Sequence, residues 1–138
     1  MAKVPSKGTV LQQEISSVFT AVAQLTEISQ GGIESETYDA TTLDTSGAGK
    51  EYSQTGYSEG GTVDISGFYD PALAGHQAIT ALVTTPADQN WKIIYADTGT
   101  TECPFTSAGL SWETTAAMAD GLKFSSSLKV DGLPTLPT

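Results

Sequence analysis

The chain contains no arginine, a single cysteine and a single histidine among 138 residues. Without Arg it lacks the planar fork that reads guanine and grips phosphate two-handed, so sequence-specific nucleic-acid binding is not expected. One thiol, Cys103, forbids an internal disulfide and a multi-cysteine zinc site. No apolar run approaches the ~18 residues of a membrane span. The opening segment, Met1 to Gly8, has no apolar stretch of the kind that marks a secretory signal. Charged residues are scarce at 16%, and hydrophobic ones reach only 38%. The charge is lopsided, with 6 Lys+Arg against 16 Asp+Glu and a net charge of −10. Such acidity repels the anionic surfaces of membranes and nucleic acids.

What the chain has instead is Thr, Ser and 14 glycines, a composition that favours strands and turns over long helices. The length suits one domain, covering 1–138, and is enough for a real core without covalent staples. A soluble, acidic, β-rich protein made in a cytoplasm is expected.

Periodicity supplies the elements. Residues 1–9 are polar and read as an arm. Phe19, Ala21, Ala23 and Leu25 alternate with Thr20, Val22, Gln24 and Thr26, which predicts a strand, and Val22 and Ile28 add apolar character to its second face. After Gln30-Gly31-Gly32 a second strand, Ser35–Leu43, is expected to pair with the first as a hairpin. Asp44 to Gly61 is weakly apolar and reads as a loop of about eighteen residues, long enough to be functional or disordered. Its tyrosines, Tyr52 and Tyr57, need something to pack on. Thr62–Phe68 is strand-like.

Asp70 as N-cap and Pro71 at the first helical position announce a helix over about 71–84, with Ile79, Leu82 and Val83 as its apolar stripe and Pro86 as its stop. Trp91–Ala96, Cys103–Thr114 and Lys123–Val130 are three further strands. An extended tail, 131–138, follows. The fold class is therefore mainly β, a sandwich or barrel of about 6–8 strands with one flanking helix.

No residue is read as catalytic. His76 reads as structural. Cys103, before Pro104, reads as a small buried hydrophobe. Gly47-Ala48-Gly49-Lys50 fails the phosphate-loop pattern, with Asp44 in place of its first glycine and Glu51 in place of its Ser/Thr. Neighbouring carboxylates such as Glu34 with Glu36, or Asp39 with Asp44, lack calcium-loop spacing. The expectation is a protein that is not an enzyme, with no cofactor and no metal.

The order of elements resembles the tail tube protein of long, non-contractile-tailed bacteriophages. The likeness is carried by GTVLQQEISSVFTAVAQLTEISQGGIESETYDATTLD, then GYSEGGTVDISGFYDP and AGHQAITALV, and finally FTSAGLSWETTAAMADGLKFSSSLKVDGLPT. It implies a β-sandwich or barrel similar to the tube proteins of bacterial type VI secretion systems. It also implies hexameric rings that stack into a hollow tube through which viral DNA passes during ejection. The implied partners are further copies of the chain, a tape-measure protein, and tail initiator, tip and terminator proteins. DNA would pass through the lumen without specific binding, and no membrane is involved. The implied location is the virion tail, assembled in the host bacterial cytoplasm.

On this reading Gln24, Glu27, Asp39 and Glu113 face the lumen, with Lys123 as countercharge. Asp44, Lys50, Glu51, Tyr52 and Tyr57 form an inter-ring stacking loop. The competing reading is a capsid-decoration or Ig-like β-sandwich binding module, which has neither the long loop nor the Pro-started helix as a rule.

Overall fold

The computed structural model describes residues 3–44 and 46–136. Nine strands and one helix follow in the order β1 (Val10–Ile15), β2 (Val18–Ala21), β3 (Leu25–Gly31), β4 (Glu34–Asp39), β5 (Tyr52–Glu59), β6 (Thr62–Phe68), α1 (Ala74–Thr84), β7 (Gln89–Ile94), β8 (Glu102–Thr115) and β9 (Lys123–Asp131). Seven strands form one sheet in the order β2-β1-β7-β8-β9-β6-β3, and β4 and β5 form a separate two-stranded ribbon. Every pairing is antiparallel. The mainly β architecture with one flanking helix is thus the one that alternation and turn chemistry point to.

Alternation decides which face is buried. Leu11 and Gln13 of β1, Val63 and Ile65 of β6, Trp91 and Ile93 of β7, Cys103 and Phe105 of β8, and Phe124, Leu128 and Val130 of β9 all point into one core. Burying such side chains is worth roughly 1.5–3 kcal/mol each. The Trp91 indole N–H, which would otherwise be stranded there, donates to the Ser107 hydroxyl at 2.8 Å. The sheet curls until its flanks face each other, so that Gln30 on β3 reaches the Cys103 thiol at 3.6 Å and lies 3.4 Å from the Tyr95 hydroxyl.

Helix α1 covers the core with Ile79 and His76, both fully buried, and with the half-buried Leu82. Beneath it, Trp112 stacks on Phe124 at 4.9 Å, and Tyr69 meets the Trp112 ring edge-on at 5.2 Å.

The structure departs from the sequence reading at four places. The expected strand through Phe19 and Leu25 is two strands, because Gln24 takes φ 64 and turns the chain between them. The expected hairpin between the Phe19 and Ser35 segments does not form; β3 pairs with β6 and β4 with β5. Half of the expected 44–61 loop is strand β5, leaving a connection over 40–51. The helix starts at Ala74, later than Pro71. The Asp70 carboxylate does accept from a backbone N–H, that of Ala72 at 3.0 Å, but it closes a separate turn one step early. The helix ends at Thr84, just before Pro86.

Candidate functional site

Two surfaces stand out, the polar outer face of the sheet and the β4–β5 ribbon. On the outer face, strand register lines up cross-strand rows. Glu27 of β3 lies opposite Ser66 of β6, Ser66 opposite Ser125 of β9, and Ser125 opposite Glu113 of β8. The adjoining row runs Ser29, Asp64, Ser127 and Ser111. Further along, Lys123 lies opposite Thr115 and Phe68, 3.9 Å from the Asp120 carboxylate and 5.9 Å above the Phe68 ring. The alternation that buries Ile65, Phe124 and Leu128 sends these polar neighbours outward, giving a Ser-rich, net acidic face across four strands.

Of the five residues expected in a lumen, the fold brings Glu27, Glu113 and Lys123 onto this face. Gln24 sits in the turn before β3, where its carbonyl accepts from the Phe68 N–H at 3.0 Å. Asp39 ends β4, opposite Tyr52 on the ribbon, away from the sheet rows. Asp64, which sequence reading did not single out, belongs with them. Its signal was present in the Val63/Ile65 alternation, since the residue between two buried ones must point out.

The ribbon extends the β3–β6 ladder. β4 follows β3 after Gly32-Ile33, and β5 leads into β6 through Gly60-Gly61. Every residue of β4 is exposed. Tyr38, Tyr52 and Tyr57 are 54%, 63% and 74% exposed, and Leu43 in the connecting loop is fully exposed. Four of the five expected stacking residues, Asp44, Lys50, Glu51 and Tyr52, gather at the end of the ribbon, and Tyr57 lies towards its root, two residues before the end of β5. Tyr38 and Leu43 join this set.

Hydrogen bonds order the ribbon end. Ala40 N–H donates to the Glu51 carbonyl at 2.8 Å, and Glu51 N–H donates to the Thr41 hydroxyl at 2.7 Å. The Thr41 hydroxyl, and then its amide at 3.0 Å, hold the Asp39 carboxyl below its ordinary value. The Thr42 hydroxyl does the same for Asp44, helped by the Asp44 amide. Both carboxylates therefore stay ionised, and the ribbon end is acidic.

His76 and Cys103 are both fully buried. Both ring nitrogens of His76 are engaged by backbone, accepting at Nδ1 from the Asp70 N–H at 3.1 Å and donating from Nε2 to the Ala23 carbonyl at 2.7 Å. Among the described residues no group of three or more His, Cys, Asp or Glu side chains is placed to hold a metal ion. No described helix is long and apolar enough to cross a membrane.

Known proteins share the fold. Among solved structures, the fold is similar to a chain in the tail of an empty GTA particle refined with C6 symmetry, with a TM-score of 0.78 and 14% identity, covering 97% of this chain and 98% of that one. It is similar to the SPP1 tail tube (TM-score 0.64, 12% identity, 96% and 78% covered). It is also similar to a chain of the six-fold-symmetrised anti-feeding prophage baseplate (TM-score 0.65, 10% identity, 95% and 93% covered). A search of curated protein sequences found no match. The family model described as phage tail tube protein matches residues 8–136. The chain belongs to the phage tail tube protein family, whose members are structural proteins and not enzymes.

Proposed function

We propose that this tail tube subunit closes with five further copies into a ring, and that the rings stack into a hollow tube that conducts double-stranded DNA at ejection. The observation that carries this reading is the pair of free edges on the seven-stranded sheet, β2 on one side and β3 on the other. Open edges recruit further strands, and only a closed ring of copies satisfies both on every subunit. Val18 on β2 is 63% exposed, an apolar side chain at the edge where a neighbour would sit. Six is the number favoured by the C6 symmetry of the GTA tail, whose fold this chain shares.

In such a ring the face bearing Glu27, Asp64, Glu113 and the serine rows lines the channel. An acidic, Arg-free wall suits a conduit, because DNA carries one charge per ~1.7 Å and would adhere to a basic one. Repulsion acts within a Debye length of about 8 Å, so it matters only for DNA passing close to the wall. The ribbon reaches the next ring. A two-stranded ribbon is marginal on its own, and its exposed tyrosines are typical contact residues. Head-to-tail stacking is open-ended, so tube length must be set by other proteins, a tape-measure protein together with initiator, tip and terminator components. Assembly takes place in the host bacterial cytoplasm, and the product resides in the virion tail.

Electron microscopy of concentrated purified protein tests the proposal. Hollow tubes with six-fold end-on averages are expected. Solid filaments, or rings of another symmetry, would overturn it.

A further inference from the structure

The β4–β5 ribbon is a separate two-stranded sheet, and every residue of β4 is exposed, so no core fixes its direction. Its root must. We propose that the C-terminal tail is a strap that sets the ribbon's angle. Docked along β8, it holds Gly132 against Gly60; released, it lets the ribbon pivot at its glycine root.

The joint is built from backbone in close approach. Gly60 is buried, and a Cβ on it would lie 2.3 Å from the Gly132 carbonyl oxygen and 2.7 Å from Cγ1 of Val130. No side chain fits between the ribbon's root and the start of the tail. The Val130 N–H donates to the Gly61 carbonyl at 3.1 Å, one step past the last β6–β9 pair, Thr62 with Lys129. The strand that carries the tail is therefore bonded to the residue that closes the ribbon.

The docking slot is a gap in the sheet. β9 pairs with β8 only over Thr106–Thr115, whereas β7 pairs with it over Glu102–Ser107. Among the described residues no strand flanks Glu102–Phe105 on the β9 side. The tail lies there instead, with Pro134 buried and the Thr135 N–H donating to the Pro104 carbonyl at 2.9 Å. Pro104 has no N–H to return, which blunts this stretch of edge. A hydrogen bond of this kind adds little net stability, so the strap is held lightly. Coupling between the two segments is reciprocal, so a displacement of the ribbon is also felt at the tail.

The experiment uses the free subunit, so its outcome is independent of the ring and tube reading. Spin labels are placed at Gln54→Cys on the ribbon and Ser125→Cys on the sheet; Cys103 is buried and stays unlabelled. Pro134→Asp puts a charge into the buried slot, and Thr135→Pro removes the N–H donor. In both variants the label-to-label distance distribution is expected to widen about two-fold, while amides of β1 and β7 keep their wild-type hydrogen exchange. In the reverse direction, Gly60→Ala is expected to speed exchange over residues 132–136 about five-fold. A tail that exchanges freely beside a ribbon of unchanged distribution overturns the strap. So does a tail that stays protected in Gly60→Ala, or in both tail variants. Faster exchange in β1 and β7 as well would make the tail a support of the whole fold, and that too overturns the assignment.

Discussion

The imidazole of His76 donates through Nε2 to the carbonyl of Ala23 at 2.7 Å, tying helix α1 to the turn between β2 and β3. The same ring accepts from the Asp70 N–H and lies 4.8 Å from the Phe124 ring. It therefore joins three parts of the fold that are distant in sequence. Replacing His76 with alanine leaves the Asp70 N–H and the Ala23 carbonyl without their partner and opens a cavity where a fully buried ring stood. A loss of about 3 kcal/mol is expected in urea unfolding. A loss under 1 kcal/mol would show that water or local rearrangement replaces the ring without cost.

Two glycines separate backbone strain from collision. Gly61 and Gly132 have φ of +72 and +73, but a Cβ on Gly61 would lie 2.0 Å from the Gly31 carbonyl oxygen, whereas one on Gly132 would meet open space. Gly132→Ala is expected to cost about 1 kcal/mol for the left-handed backbone alone. Gly61→Ala is expected to cost several times as much and to shift the ribbon, reducing tube yield. Equal effects from the two variants would refute the assigned collision at the ribbon's root.

Gln13 is 2% exposed, and its Oε1 has no hydrogen-bond partner. A buried acceptor left unmade is a penalty that an apolar side chain of similar shape removes. Gln13→Met should raise stability by about 1 kcal/mol. A destabilised variant would mean that the amide is satisfied in solution.

Glu27 and Glu113 end one cross-strand row, so reversing both to lysine places positive charge on the face assigned to the channel. Tubes should assemble as before, and DNA release, followed by dye uptake after receptor triggering, should slow or stop. Release at the wild-type rate would remove this face from the lumen.

Acid should weaken the turn after β7. The Thr101 hydroxyl, and then its amide at 2.7 Å, hold the Asp97 carboxyl below its ordinary value of 3.8. A carboxyl depressed in the folded state contributes stability above its unfolded value, and the contribution disappears as the pH falls through the folded one. Asp97→Asn should therefore be less stable than the wild type at neutral pH, with the difference shrinking below about pH 4. A difference that is constant with pH would show that the carboxylate's charge is not what the turn uses.

The strands that could be read in advance are those with a buried face. Thr62–Phe68 agrees to the residue, and Lys123–Val130 to within one, because Val63, Ile65, Phe124 and Leu128 must alternate inward. β5 was hidden for the opposite reason. Tyr-Ser-Gln-Thr-Gly-Tyr-Ser-Glu has no apolar face, and its strand conformation comes from pairing with β4 rather than from a core. Of the candidate site, the acidic residues on the sheet could be named by alternation. Their grouping could not, since Glu27 and Glu113 lie far apart in sequence and meet on one row only through β6 and β9.

The sequence by itself determined the mainly β class, the single helix and a family likeness that the family model supports. These are local properties, set by side-chain period, turn residues and composition. The tertiary structure decided that β3 pairs with β6, that the ribbon stands clear of the sheet, and that the arm and β3 form a groove. Strand pairing is a contest among distant segments with similar local preferences. It is won by the arrangement that buries Leu11, Ile65, Trp91 and Leu128 in one core, which no single window of the chain contains.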